Sequence, residues 1–355
     1  MSSSLKSATQ ADLKGANLYR VAVVGAGTLK GKEINEVLKD RNFPAIDVRL
    51  LDDDESRGRL EAVGDEMSFI QRVRPEQFER VDFTFFVSDP QSTRSHWKTA
   101  RDLGSTIVDF SFALEDEDGA SVRSPWIERH LGRPVLPELQ PGPVVAAHPA
   151  ATVLAMLLLR SEKAAQVQRA VATVFEPASE HGQKGMDELH EQTVNLLSFQ
   201  ELPKNVYDTQ VAFNMVARYG PRSQPGLDAV SQRILRHYRK IARGATEPAL
   251  LVVQAPTFHG YAFSVYLETE KPVALEDFST ALAGDHIVVS PGAEDSPTNV
   301  NAAGQGDILV SVTRDANHEN GVWLWASADN LRIGALTAVE CAEALTASRP
   351  RGQIQ

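Results

Sequence analysis

Two short segments of this 355-residue chain carry residue types at spacings that could do chemistry. The first is Gly25-Ala26-Gly27-Thr28-Leu29-Lys30-Gly31. It follows the apolar run Val21-Ala22-Val23-Val24 and precedes a helical pattern with Ile34, Val37 and Leu38 on one face. A strand, a glycine turn and a helix in that order would bring backbone N–H groups and a helix N-terminus to a pyrophosphate. Val48-Arg49-Leu50-Leu51 then leads into Asp52-Asp53-Asp54-Glu55. An acid at that distance from the turn can accept hydrogen bonds from adenosine ribose hydroxyls. A 2′-phosphate there would meet like charge, so Asp52 and Asp53 favour NAD over NADP if either binds. The match to G-x-G-x-x-G is partial, because Lys30 stands where the third glycine belongs. A tight turn without a ligand, beside a solvated acidic cluster, is the competing reading.

The second segment is His148-Pro149-Ala150-Ala151-Thr152, which joins an apolar run to a helix-forming one. A helix N-terminus at a strand end suits a nucleophile, since the dipole favours an anion there. Ala151 has no reactive atom. Thr152 reads as the capping residue, and His148 as a hydrogen-bonded structural histidine. Arg233, Arg236, Arg239, Lys240 and Arg243 repeat about every three residues, as a solvated helix face or as a stripe facing a small anion. His181, His190, His237 and His259 show no ligand spacing, so no metal site is expected. Cys341 lies in an Ala-rich helical pattern and reads as a packed residue.

These segments need elements to hold them. Phe83 to Val87, Thr106 to Phe110 and Val144 to Ala147 alternate with helix-compatible stretches, the rhythm of a parallel sheet wound by helices. After about residue 165 the pattern changes. Gln168 to Glu176 alternates with period two, placing Ala170, Ala172 and Val174 on one side. Met186 to Phe199 is predicted to be a helix with Met186, Leu189, Val194 and Leu197 inward, and Asp228 to Arg243 a second helix. Ala249–Ala255, Tyr261–Glu268, Ile308–Thr313 and Val322–Ser327 read as strands of a mostly antiparallel α+β domain, and Gly334–Ala347 as a closing helix. The 36 Lys+Arg against 47 Asp+Glu give a net charge of −11, which opposes a nucleic-acid binder. Val153–Leu159 is far short of the roughly 20 residues that a membrane helix needs. No secretory signal opens the chain, so no membrane partner and a cytoplasmic location are expected.

The chain resembles the aspartate-β-semialdehyde dehydrogenase family, especially its divergent Usg-type relatives. The first turn parallels the family's G-A-T-G-x-V-G, with Thr28 at the central glycine. Val108-Asp109-Phe110-Ser111 sits like V-I-D-x-S, and Leu136-Pro137-Glu138-Leu139 like V-P-E-V. Gln210-Val211-Ala212-Phe213-Asn214 matches x-x-A-F-N, and Asp329-Asn330-Leu331-Arg332 with Gly334-Ala335 matches D-N-L-R-x-G-A. The resemblance implies an α/β fold: a Rossmann-like NAD(P)-binding domain, residues 19–152 with 328–348, and an α+β dimerisation domain, residues 153–327. A leader at 1–18 and a tail at 349–355 flank them. It implies a homodimer. It also implies nucleotide contacts at Gly25, Gly27, Thr28, Leu29, Gly31, Asp52, Ser88 and Asn330, and a pocket at Ser111, His148, His237, Lys240, Gln254 and His259.

At the reactive positions the chain departs from the family. The family's nucleophilic cysteine aligns with Ala151, its substrate-holding arginine with Gln254 and its acid/base histidine with Tyr261. Its substrate-binding glutamate aligns with His237. The arginine expected after Ser111 is missing from Phe112-Ala113-Leu114-Glu115. Without the thiol there is no thiohemiacetal and no acyl-enzyme. Three readings follow. One is a dehydrogenase-like binding or regulatory scaffold that has lost the oxidoreductase activity. Another is an NAD-dependent oxidoreductase using non-covalent hydride transfer in the same cleft. The last is a ligand-free interaction module.

Overall fold

The computed structural model describes residues 18–53, 60–63, 66–133, 142–223, 226–291 and 295–346. The V-P-E-V-like segment, most of the leader, the tail, and Asp54 and Glu55 lie outside the described residues. In chain order, the first half contains β1 (Tyr19–Val24), α1 (Leu29–Asp40), β2 (Ala45–Asp52), β3 (Leu60–Val63), β4 (Glu66–Phe69), β5 (Gln71–Arg72), β6 (Phe83–Phe86), α2 (Pro90–Asp102), β7 (Thr106–Asp109), β8 (Ser121–Arg123), α3 (Pro125–His130), β9 (Val144–Ala146) and α4 (Pro149–Ala164). The second half contains β10 (Val167–Glu176), α5 (Gly182–Leu197), α6 (Leu227–Ile241), β11 (Ala249–Gln254), β12 (Tyr261–Thr269), α7 (Leu275–Leu282), β13 (Ile287–Val289), α8 (Asn299–Ala302), β14 (Ile308–Arg314), β15 (Gly321–Ala328) and α9 (Asn330–Thr346).

Seven strands form a parallel sheet in the order β5-β2-β1-β6-β7-β9-β8. Strands buried on both faces read as continuous apolar runs, and β6, Phe83-Thr84-Phe85-Phe86, is buried throughout. Helix α1 buries Gly31, Ile34, Val37 and Leu38, the face expected from spacing. Order reverses between β1 and β6, and the crevice beyond the carboxyl ends of such strands is where ligands bind. The glycine turn, Ser88, the segment after Asp109, and His148 all lie at that edge.

The second sheet has the order β11-β10-β12-β15-β14-β13. Its central pairs are antiparallel, as expected, while β10–β11 and β13–β14 are parallel, so the sheet is mixed. Ala170, Ala172 and Val174 are buried. Helix α5 departs from its expectation: Val194 and Leu197 are exposed, and the buried residues are Gly185, Glu188, Leu189 and Gln192. Backbone hydrogen bonding outweighs apolar spacing here. Glu188 accepts from the amides of Asn205, Val206 and Tyr207. Gln192 accepts from the Val211 and Ala212 amides and donates to the Pro203 and Thr209 carbonyls. Two polar side chains thereby hold an irregular segment that has no ladder of its own.

Helix α9 runs back against the parallel sheet's side of the molecule. Arg332 pairs with Glu33 and Asp40, and Arg41 with Glu343, tying α9 to α1. Cys341 is buried on α9, and burial pushes its thiol well up, as suits a packed, inert residue.

Candidate ligand cleft at the carboxyl ends of the parallel strands

The glycine turn is built for close approach. Gly25 has φ 94°, and a Cβ there would lie 2.5 Å from the Ser88 amide nitrogen. A Cβ on Gly31 would lie 2.2 Å from the Gly25 carbonyl, so only glycine lets α1 seat on the turn. Thr28 caps α1: its Oγ1 accepts from the Gly31 amide at 3.0 Å and donates to the Gly25 carbonyl at 2.7 Å. Asp52 is not a solvated acid. It is buried, and its carboxylate accepts from the Gly27 and Asp53 amides, both at 2.9 Å. This holds the carboxylate at the mouth of the turn, where a ribose would lie. Ser88 is buried and bonded to Thr93. The tight glycine packing, the helix N-terminus and the fixed acid stand together at one edge and fit a dinucleotide.

The segment after β7 turns into the cleft. Asp109 is fully buried and accepts from Ser111 N, Ser111 Oγ and Leu114 N at 2.7, 2.6 and 2.9 Å. Ser111 is therefore committed to the turn. Phe112 sits at φ 63°, a conformation L residues rarely adopt. Its ring stacks on His148 at 5.2 Å and meets His237 edge-on at 5.6 Å. Lys30 reaches across from α1: its Nζ donates to the Phe110 carbonyl at 3.2 Å and lies 4.4 and 4.6 Å from the Phe110 and Phe112 ring centres.

Glu115 is the residue that sequence reasoning missed. Its Oε1 accepts from Arg233 and Arg236, each at 3.0 Å, and its Oε2 lies 2.8 Å from His237 Nε2. Lys240 reaches only its carbonyl, at 3.4 Å. The stripe on α6 thus faces an anion, but the anion is the protein's own carboxylate; Arg239 pairs separately with Glu247. Burial alone would raise the Glu115 carboxyl. The His237 hydrogen bond and the Arg233 charge outweigh it and bring it down to about 2. His237 Nδ1 accepts the His148 amide at 2.9 Å, which leaves its proton on Nε2 for Glu115. Both ring nitrogens are spent, and burial pushes the ring's pKa down, so His237 is no base for a ligand.

The start of α4 corrects one expectation. His148, not Thr152, caps the helix: its Nδ1 accepts from the Ala150 amide, with Pro149 in the first turn. Burial, with the His237 and Lys30 charges, holds the imidazole well below its usual range. Thr152 is buried one turn in, 3.4 Å from Ser124 Oγ. Ala151 is fully buried in that first turn and offers a methyl group.

Gln254 also turns inward. Its Oε1 accepts from Tyr219 at 2.6 Å, and its Nε2 donates to the Glu176 and Ala255 carbonyls. His181 Nε2 lies 2.8 Å from Tyr219 and 3.5 Å from Glu176, closing a buried cluster that the sequence did not reveal. Tyr261 is fully buried beside Glu180, yet its hydroxyl has no hydrogen bond of regular geometry. Burial and the Glu180 and Glu176 charges push its phenol well above the ordinary value, so it is no base at neutral pH. Asn330 accepts from the Gly260 amide and donates to Ser179 and Glu180, positioning the turn before Tyr261. His259 is half-buried on that turn, and its carbonyl is held by Asn299.

The N-terminal part, residues 20–147, matches the semialdehyde dehydrogenase NAD-binding domain, and residues 159–333 match the semialdehyde dehydrogenase dimerisation domain. The chain belongs to the semialdehyde dehydrogenase family. A USG-1 protein homolog of Pseudomonas aeruginosa is 30 % identical over 329 residues, covering 92 % of this chain and 97 % of that one. An aspartate-semialdehyde dehydrogenase of Rickettsia bellii is 28 % identical over 336 residues, with the same coverage. The solved structure of a probable aspartate-semialdehyde dehydrogenase from P. aeruginosa superposes with a TM-score of 0.82 at 29 % identity, covering 92 % of this chain and 98 % of that chain.

Within the semialdehyde dehydrogenase fold, His148, His237 and Tyr261 are buried neighbours, and His181 is engaged elsewhere. His148 and His237 meet through a backbone amide. His181 belongs to the Glu176–Tyr219 cluster. The His148 and Tyr261 ring centres are 6.4 Å apart.

Proposed function

We propose that this member of the semialdehyde dehydrogenase family has left thiol-dependent aldehyde oxidation and serves as a dimeric binding or regulatory scaffold with a nucleotide site. Ala151 carries the reading. It fills the first turn of α4, beside the strand ends, where the family resemblance places the nucleophile. The only thiol of the chain is buried in α9. The neighbouring changes agree with it. Gln254 is consumed by Tyr219 and backbone carbonyls, Tyr261 is a buried phenol, and Glu115 occupies Arg233 and Arg236 of α6. A bound NAD would supply a hydride acceptor, but no thiol stands at Ala151 to form the acyl-enzyme that would donate to it.

Residues 19–152 with 328–348 form the nucleotide-binding unit in this proposal, and residues 153–327 form the dimerising unit. The second sheet supports a homodimer. Register places Leu251, Thr173, Ser264 and Trp325 in one row, and Val171, Tyr266 and Trp323 in the next. Val171, Leu251, Trp323 and Trp325 are all exposed in the single chain, an apolar face that a second copy would cover. No helix among the described residues is long and apolar enough to cross a membrane.

A thermal-shift titration tests the nucleotide site. NAD is expected to raise the unfolding midpoint more than NADP, because Asp52 and Asp53 stand where a 2′-phosphate would go. Midpoints unmoved by either nucleotide would favour a ligand-free module instead.

A further inference from the structure

We propose that the nucleotide site takes adenosine diphosphate and turns away the nicotinamide half of a dinucleotide, because Lys30, Phe110, Phe112 and His148 fill the crevice beyond the glycine turn. The inference rests on the nucleotide reading above and narrows its ligand. A dinucleotide lies across the point where strand order reverses, with its pyrophosphate at the N-terminus of the first helix and one half on each side. Here the strand order across that point is β2-β1-β6-β7-β9. The Asp52 carboxylate ends β2 and is held at the glycine turn, so the adenosine half belongs on that side. The other half must then pass over the ends of β6, β7 and β9.

Those ends carry a packed layer. Phe110, Phe112 and His148 are only 1 %, 6 % and 3 % exposed, so no open bed is left between them. The Phe110 ring is pinned against α9: a Cβ on Gly334 would lie 2.1 Å from its Cζ. Phe112 meets Phe110 edge-on at 5.8 Å, and the Arg233 guanidinium lies 5.5 Å from its ring centre. With the stack on His148 and the edge contact to His237, the ring is held from α6, from the start of α4 and from its own turn. The Asp109 carboxylate fixes that turn through the Ser111 and Leu114 amides.

Lys30 closes the remaining edge. Its ammonium reaches from α1 to the Phe110 carbonyl and lies over both rings, contacts that suit the charged form. His148 turns its Nδ1 onto the Ala150 amide, so the N-terminus of α4 is also met from within the chain. A nicotinamide entering here would displace Lys30 from both rings and part Phe112 from His148. The adenosine side carries no such layer. Gly27, Thr28 and Leu29 are half-buried and Asp53 is exposed, which leaves the turn open to a ligand.

Calorimetric titration of the full-length protein with ADP, ADP-ribose and NAD tests this, since the three share adenosine diphosphate and differ beyond it. Wild type is expected to bind ADP at least as tightly as the other two. Saturation-transfer NMR on NAD is expected to reach the adenine protons and pass over the nicotinamide protons. NAD bound at least about tenfold more tightly than ADP-ribose, or equal saturation of its two bases, would overturn the proposal. Failure of all three to bind would overturn the nucleotide reading itself, and this proposal with it. Phe112→Gly removes the ring and suits the left-handed backbone at that position. It is expected to shift the affinity ratio of NAD to ADP-ribose towards NAD by at least about tenfold. An unchanged ratio in the folded variant would also overturn the proposal, and the wild-type comparison stands without any variant.

Discussion

Replacing Glu115 by alanine is expected to destabilise the protein by about 3 kcal/mol and to make it respond to inorganic phosphate. The carboxylate is 8 % exposed and satisfies two guanidinium groups and the buried His237 N–H. Removing it strands a buried donor and leaves cations facing one another. Arg233 and Arg236 are 29 % and 40 % exposed, so water recovers part of the loss. Arg233, Arg236 and the His237 N–H then face a gap of carboxylate size. Phosphate should raise the unfolding midpoint of Glu115→Ala and leave wild type unmoved; equal responses would show that Glu115 does not fill an anion site. The pH dependence has a fixed sign. The carboxyl is held at about 2 against an ordinary 4.5, so its contribution is present above 4.5 and lost as pH falls towards 2. Glu115→Gln should therefore lose less stability than wild type across that window in denaturant melts.

Ala151→Cys is expected to install a thiol without installing turnover. The position lies in the first turn of α4, where the helix dipole favours a thiolate. Yet an acyl-transfer cycle also needs a proton carrier and a held substrate. Tyr261 is a buried phenol pushed well above its ordinary value, and Gln254 has its amide engaged on all sides. Missing acid/base help alone costs about 100-fold to 10,000-fold. Phosphorylating turnover of Ala151→Cys should therefore stay at least about 100-fold below that of an active relative assayed alongside. Turnover within tenfold of that relative would mean that Tyr261 and Gln254 are no obstacle.

The parallel sheet and the glycine turn were legible because their signals are local. An apolar run, a glycine whose Cβ would strike Ser88 and an acid at the end of β2 are all encoded within a few residues. The proposed loss of the thiol reaction was legible at Ala151 only through the family resemblance, since an alanine in a helix has no signature of its own. Glu115 escaped notice because its partners Arg233, Arg236 and His237 are over 100 residues away, and only the fold brings them together. The Glu176–Tyr219–Gln254 cluster was hidden for the same reason. Helix α5 misled because Glu188 and Gln192 look like surface residues, yet their hydrogen bonds to the 203–212 segment bury them while Leu197 stays exposed. Thr152 misled because a histidine one turn earlier takes the capping role.

The central claim is that the fold remains while the thiol reaction is gone. The direct measurement supplies purified wild type with aspartate semialdehyde, inorganic phosphate and either NAD or NADP, and follows reduced nicotinamide by absorbance. The account predicts no phosphate-dependent formation of reduced nicotinamide with either cofactor. Phosphate-dependent turnover that Tyr261→Phe or Gln254→Ala abolishes would contradict it.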